Sequence, residues 1–180
     1  IRATIQSRGL GDVYKRQEAI IQHKFFIMAD KLSLIWRSFD SISKSELYDV
    51  ANLRQKVFII EQKCFYEDLD YFDQDAKHLL LYSGKNLIGY SRVFPPGIKY
   101  DSSSIGRIVV DKQFRGKGYG IKITLESIDF IKRNFPNTNI SISAQYRLLK
   151  FYENLNFVKE GNVYLEDDIE HIKMVLKVSK

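Results

Sequence analysis

The sequence predicts a mixed α/β (α+β) fold, one sheet with helices on both faces. Three observations lead there. The elements read in the order β-α-loop-β-β-β-α-β-α-β-β. Two apolar runs flank a Gly-Lys-Asn turn at 84–86, as a β-hairpin requires. A β-branched run at 105–111 breaks into a glycine turn and a long helical segment before the next strand, which makes one parallel crossover.

Residues 34–39 read as the first strand. Ser43 and Glu46 form a capping-box signature, and Leu47, Val50, Ala51, Arg54, Val57 and Phe58 keep helical spacing after it. Residues 61–75 are an acidic loop, with Glu61, Glu67, Asp68, Asp70, Asp73 and Asp75 against the single Lys63. The hairpin strands run over 78–83 and 87–94 and end at Pro95-Pro96-Gly97. The long helix reaches Phe135, with Ile121, Leu125, Ile128, Phe130 and Ile131 near the spacing of one face. Alternation gives a strand at 138–143. Helical spacing then puts Gln145, Leu148, Leu149, Tyr152 and Leu155 on one side of a helix over 145–155. Strands near 157–161 and 171–178 close the chain. In open α/β sheets a ligand sits at the carboxyl ends of the parallel strands.

The 180 residues carry a net charge of +6. Half of that excess lies in residues 1–27, where Arg2, Arg8, Lys15, Arg16 and Lys24 face Asp12 and Glu18. The rest is too modest for a general nucleic-acid face, and no cluster of Lys and Arg interleaved with aromatics stands out. Residues 1–27 lack an initiator methionine, a clear period and the h-region of a signal peptide. They read as a leader, tag or extraneous, disordered segment before a single domain at 28–180, with Met28 as its start. The lone Cys64 excludes an internal disulfide and suits a reducing, cytoplasmic compartment. No apolar run approaches the roughly 20 residues that cross a bilayer, so no membrane partner is expected. No metal site is expected either.

The most telling segment is Ile108-Val109-Val110 followed by Asp111-Lys112-Gln113-Phe114-Arg115-Gly116-Lys117-Gly118-Tyr119-Gly120. Glycines let the backbone come close to a ligand, and the free N–H groups of a first helical turn point at it. Arg115 and Lys117 add charge, so the expected guest is a phosphate or pyrophosphate. A P-loop does not fit, because Gly116-Lys117 is followed by Gly118 rather than Ser or Thr. A dinucleotide fingerprint does not fit either, because this strand sits in mid-chain and Pro136-Asn137 occupies the place of the ribose-binding acid. On spacing alone the turn could equally be only a strand–helix turn, and Tyr152 a core residue at a helix edge.

With these residues in view, the chain resembles the Gcn5-related N-acetyltransferase (GNAT) superfamily. Arg115, Gly118 and Gly120 match its Q/R-x-x-G-x-G/A coenzyme motif, and residues 151–157 match its Y-x-x-x-G-F segment, with Asn156 in place of the glycine. A closer likeness, to the ElaA-like branch, rests on Leu53-Arg54, Val57-Phe58, Glu61-Gln62, Cys64, Tyr66, Asp68, Asp70, His78, Gly106-Arg107, Ala144-Gln145, Tyr164-x-Glu166-Asp167, His171-Ile172 and Met174. It covers about residues 34–176. Asp167-Asp168 stands where the family has an Asp-Gly turn, a departure that would reshape the loop before His171.

The resemblance implies a GNAT fold: a central, mostly antiparallel twisted sheet of six to seven strands. It also implies an acetyl-CoA-dependent N-acetyltransferase acting by direct transfer on a primary amine. Ile108, Val109 and Val110 would pair with the pantetheine arm, and Arg115, Gly116, Lys117, Gly118, Tyr119 and Gly120 would hold the pyrophosphate. Gln145 joins the cofactor side. A backbone N–H near Val109 would stabilise the oxyanion. Tyr152 would protonate the departing thiolate, and Glu61, His78 and His171 are the candidate bases. Arg107 and Asp70 fall on the acceptor side. Arg107, inside an apolar strand, needs an acidic partner from 61–75 if buried. The acidic loop reads either as a solvated surface or as a selector for a cationic amine. A non-catalytic acyl-CoA sensor of the same fold is the alternative reading. Homodimers are common for such folds.

Overall fold

Among the described residues, seven strands and three α-helices follow one another in the order expected. The structure, a computed structural model, describes residues 31–178, so the expected leader at 1–27 lies outside the described residues. The elements are β1 (Leu32–Ser38), α1 (Lys44–Arg54), β2 (Lys77–Ser83), β3 (Asn86–Phe94), β4 (Ser103–Val110), α2 (Tyr119–Asn134), β5 (Ile140–Gln145), α3 (Leu149–Glu153), β6 (Val158–Glu166) and β7 (Ile169–Leu176). One seven-stranded sheet runs in the order β1-β2-β3-β4-β5-β7-β6. β4 and β5 are parallel, while the β2–β3, β3–β4, β5–β7 and β6–β7 pairs are antiparallel.

Alternation along β2 explains the two layers of helix. Leu80 packs with Tyr90, Val109 and the α1 residues Val50 and Leu53. Its neighbours Leu79 and Leu81 point the other way and meet Ile88 and Ile123 of α2. A third cluster, with Ile128, Ile131, Ile140, Ile142, Tyr152, Phe157 and Met174, fills the far half of the sheet. The α2 helix comes so close to the sheet that a Cβ at Gly89 would sit 2.5 Å from Ile123 Cδ1. A side chain at this position would force the Ile123 tip to shift and would press on the Val109 carbonyl at 3.2 Å.

The Ser43 capping box forms as read, Glu46 N–H donating to Ser43 Oγ and Ser43 N–H to Glu46 Oε2. Two expectations need correction. The buried side of α2 is Ile123, Thr124, Ser127, Ile128 and Ile131, whereas Ile121 and Leu125 are exposed. Small polar residues hide that stripe: Ser127 Oγ donates to the Ile123 carbonyl and shares a hydrogen bond with Ser91 Oγ. Second, Gln145 is the last residue of β5, paired with His171, and does not begin a helix. A 3₁₀ turn (Tyr146–Leu148) and the short α3 follow it, because pairing with β7 outweighs a local helical pattern. Asn156 takes the expected left-handed conformation (φ 66°), as glycine would. Asp167 and Asp168 also take positive φ, 50° and 62°, in the two-residue turn joining β6 to β7. Aspartate tolerates this geometry, so the Asp-Gly departure leaves a tight hairpin.

Candidate active site

The site begins where the parallel pair fails. β4 and β5 are paired only at Ser103–Ile140 and Ser104–Ser141. Beyond that point β5 stays on β7, while a bulge turns β4 away. The bulge centres on Arg107, whose φ of 52° is left-handed for a non-glycine residue. The diverging strands open a cleft of about 860 Å³ at their carboxyl ends, the place the α/β rule names.

Ile108, Val109 and Val110 line one wall of the cleft, and Arg115, Gly116, Gly118, Tyr119 and Gly120 its mouth. Gly116 and Gly118 have φ of 77° and 78°, and nothing lies within 4 Å of where their Cβ atoms would stand. Gly118 is the N-cap of α2 and offers no side-chain cap, which leaves the first N–H groups of a 16-residue helix without that partner. This uncapped, unobstructed turn fits an anionic pyrophosphate. Lys117 lies on the same turn but off the cleft wall, its Nζ 5.5 Å from the Phe114 ring centre. Arg115 is engaged already: its guanidinium bonds Glu61 at 2.5 and 3.1 Å and the Val110 carbonyl at 2.9 Å. Glu61 reaches it because α1 continues as a π-helical stretch (Gln55–Glu61), a local widening that redirects side chains. Hydrogen bonding from Arg115 holds the Glu61 carboxyl below its ordinary range.

Tyr152, on α3, lines the cleft floor between Phe151 and Phe157, with edge-on ring contacts at 5.0 and 5.8 Å. Burial pushes its phenol up to about 12. No hydrogen-bond partner for its hydroxyl is found among the described residues. His171 lines the opposite wall. Its Nδ1 lies 2.8 Å from the Ile169 carbonyl, which can only accept, so Nδ1 carries the proton and Nε2 is free to accept one in the neutral ring. Gln145 lines the cleft as well, donating to Gln62 Oε1 at 2.9 Å and accepting from Arg147.

His78 is elsewhere. It is fully buried beneath the acidic loop, Nε2 donating to the Asp73 carbonyl at 3.0 Å and Nδ1 accepting from Tyr90 at 2.7 Å. Burial pulls its pKa down, which keeps the ring neutral with both nitrogens committed. The acidic loop is solvated only in part: Glu67 and Asp75 are exposed, while Asp68, Asp70 and Asp73 turn inward and are paired. Asp68 bonds Arg54 Nε at 2.7 Å and Arg107 Nε at 2.6 Å. Asp73 bonds Arg54 and Arg92 at 2.9 Å, and Asp70 bonds Arg92 at 2.6 and 2.8 Å. Arg107 thus has the acidic partner its position demanded. Asp70 lies behind the cleft wall, within 3.6 Å of Lys99 and 3.7 Å of Arg107. Cys64 is buried, its thiol pushed up by burial and donating to the Asp167 carbonyl.

Sequence reasoning missed Arg54 and Arg92. Arg54 stands in the sequence only as a helical position within the family likeness, and Arg92 only as one residue of the 87–94 strand. Also missed was Glu166, which lines the cleft and accepts from Ser143 Oγ at 2.8 Å. The acid-rich loop was the available signal: so many carboxylates beside a sheet demand buried cations.

The comparisons with known proteins agree with this geometry. A family model described as an acetyltransferase (GNAT) domain matches residues 41–178. A UPF0039 protein of Synechocystis is 38% identical over 144 residues, covering 79% of this chain and 94% of its own length. The ElaA protein of Escherichia coli is 32% identical over 139 residues, covering 76% and 91%. Among solved structures, an acyl-CoA N-acyltransferase from Pseudomonas aeruginosa superposes with a TM-score of 0.77 at 33% identity, covering 81% of this chain and 99% of its own. Escherichia coli ElaA does so at 0.76 and 28%, with the same coverage. The chain belongs to the GNAT acetyltransferase family, in its ElaA-like branch, a family that joins acyl-CoA donors to amine acceptors.

Proposed function

We propose that this protein transfers acetyl from acetyl-CoA directly to a primary amine, with Tyr152 as the general acid. The observation that carries the reading is the splayed β4–β5 pair, with the glycine turn at its mouth and the unpartnered Tyr152 hydroxyl in its floor. Ile108, Val109 and Val110 would hold the pantetheine arm as an added strand, and residues 115–120 the pyrophosphate. A backbone N–H near Val109 would stabilise negative charge at the carbonyl oxygen.

When bound, the thioester supplies an activated carbonyl and a thiolate leaving group. The net change is one C–N bond made and one C–S bond broken. His171 Nε2 takes the proton that keeps the incoming ammonium inert. Tyr152 gives its proton to sulfur and regains one from the nitrogen as the amide forms. A buried phenol held near 12 stays protonated at neutral pH and can serve as that donor. His78, with both nitrogens bonded, and Glu61, paired with Arg115, are left out of the base role.

A thiol-release assay with acetyl-CoA over an amine library tests this. Specific turnover that Tyr152→Phe slows by about a hundredfold or more supports it. Tight acetyl-CoA binding without turnover on any amine would instead favour a sensor, and absence of binding refutes both.

No described helix is long and apolar enough to cross a membrane. We place the activity in the cytoplasm on the strength of the single unpaired cysteine.

A further inference from the structure

The acceptor half of the cleft is electrically polarised. On its β3–β4 side, Arg54, Arg92, Lys99 and Arg107 share only Asp68, Asp70 and Asp73, four cations for three carboxylates. The buried members are the well-paired ones. Arg54 and Arg92 have side chains 1% and 2% exposed and bond their partners at 2.6–2.9 Å. The surplus charge therefore falls on Lys99 and Arg107, which are partly exposed, line the cleft and reach Asp70 only at 3.6 and 3.7 Å. Arg107 spends its Nε on Asp68, and no hydrogen bond from its two terminal nitrogens is found among the described residues. Beside them, Arg92 Nε and Ser104 Oγ are buried with no hydrogen-bond partner among the described residues, and both residues line the same cleft. Buried guanidinium N–H groups and hydroxyls are seldom left so, because each costs its desolvation.

The opposite wall carries the other sign. Glu166 and Asp167 line the cleft next to His171, and among the described residues Glu166 accepts from the Ser143 hydroxyl and enters no ion pair, while Arg147 lines the cleft beside Gln145, whose Oε1 its Nε bonds.

We infer that the acceptor is an amino-carboxylate. Its ammonium is drawn to the Glu166–His171 wall, and its carboxylate is held by Lys99 and Arg107. This inference rests on the transfer reading above and names the substrate class of that same site. A diamine or polyamine does not suit it, since its second ammonium would meet the surplus positive charge. Arg107 has a left-handed φ and is tied through Nε to Asp68, which orients its terminal nitrogens. Lys99 supplies a second charge beside it, its ammonium 3.2 Å from the Phe72 ring centre.

The test compares ω-amino acids of increasing chain length with their primary amides, the parent alkylamines, the matching diamines and a lysine peptide, reading kcat/KM by CoA thiol release. The carboxylates are expected to exceed their amides by roughly tenfold to a hundredfold, the size of a charge-assisted hydrogen bond. Lys99→Met should erase most of that preference through KM, and Lys99→Arg should restore it. The acetyl-CoA Kd, measured alongside, reports that the variants are folded. Equal or better use of amides, diamines or the peptide overturns the inference while leaving the transfer reading intact. So does a preference that survives Lys99→Met. Absence of both acetyl-CoA binding and transfer to any amine overturns the two together.

Discussion

Asp73→Asn is the sharpest probe of what holds the acceptor side in shape. The Asp73 carboxylate takes three bonds at 2.9 Å, two from Arg54 Nη1 and one from Arg92 Nη1, and its side chain is 9% exposed. The isosteric amide keeps one acceptor oxygen but turns an NH₂ toward a guanidinium, and it leaves four cations with two carboxylates. Breaking a buried pair by removing one partner costs about 3–5 kcal/mol. For a domain of this size that corresponds to a Tm lower by roughly 6–20 °C. Urea unfolding at pH 7 should show a lower Cm with an unchanged slope. Burial alone would raise the Asp73 pKa, but Arg54 and then Arg92 outweigh it and hold the group below its ordinary value. A depressed carboxylate stabilises the fold above the unfolded pKa of about 3.9 and loses that contribution as pH falls through the folded value. The gap between wild type and variant should therefore narrow below about pH 4. A loss under about 1 kcal/mol at pH 7, or a gap that stays constant down to pH 3, refutes the reasoning.

Other consequences are as direct. Gly118→Glu puts a carboxylate into the uncapped turn at φ 78°. It should abolish acetyl-CoA binding in titration calorimetry while costing only about 1–2 kcal/mol of stability for the left-handed residue, and retained affinity would mean the pyrophosphate binds elsewhere. Glu61→Gln releases Arg115 from its carboxylate. Acetyl-CoA should bind several-fold tighter, more so at low salt, with kcat preserved, whereas a collapse of kcat would return Glu61 to the role of base. The exposed Glu61–Arg115 pair itself should contribute less than about 1 kcal/mol to stability, so Tm should barely move.

The sequence by itself determined what is local or periodic. The apolar run at 78–83, the Ser43–Glu46 box and the Gly84 turn each name an element through contacts only a few residues apart; the box and the hairpin form, the turn tightening to Gly84-Lys85 as Asn86 pairs with Ser83. The glycine turn was equally legible, because positive φ at Gly116 and Gly118 is a property of the backbone there. Tertiary structure decided the rest. It turned the α2 face onto Thr124 and Ser127, residues whose polarity hides their burial until Ser91 and the helix carbonyls satisfy them. It extended β5 through Gln145, because His171 on a strand some 25 residues away offered a pairing that helical spacing could not foresee. Above all it converted the acidic loop. Asp68, Asp70 and Asp73 look like a lure for cations when counted along the chain, yet Arg54, Arg92 and Arg107 arrive from three distant elements to neutralise them. The sign of charge in a site is a sum over neighbours in space, and that sum exists only once the sheet has brought those neighbours together.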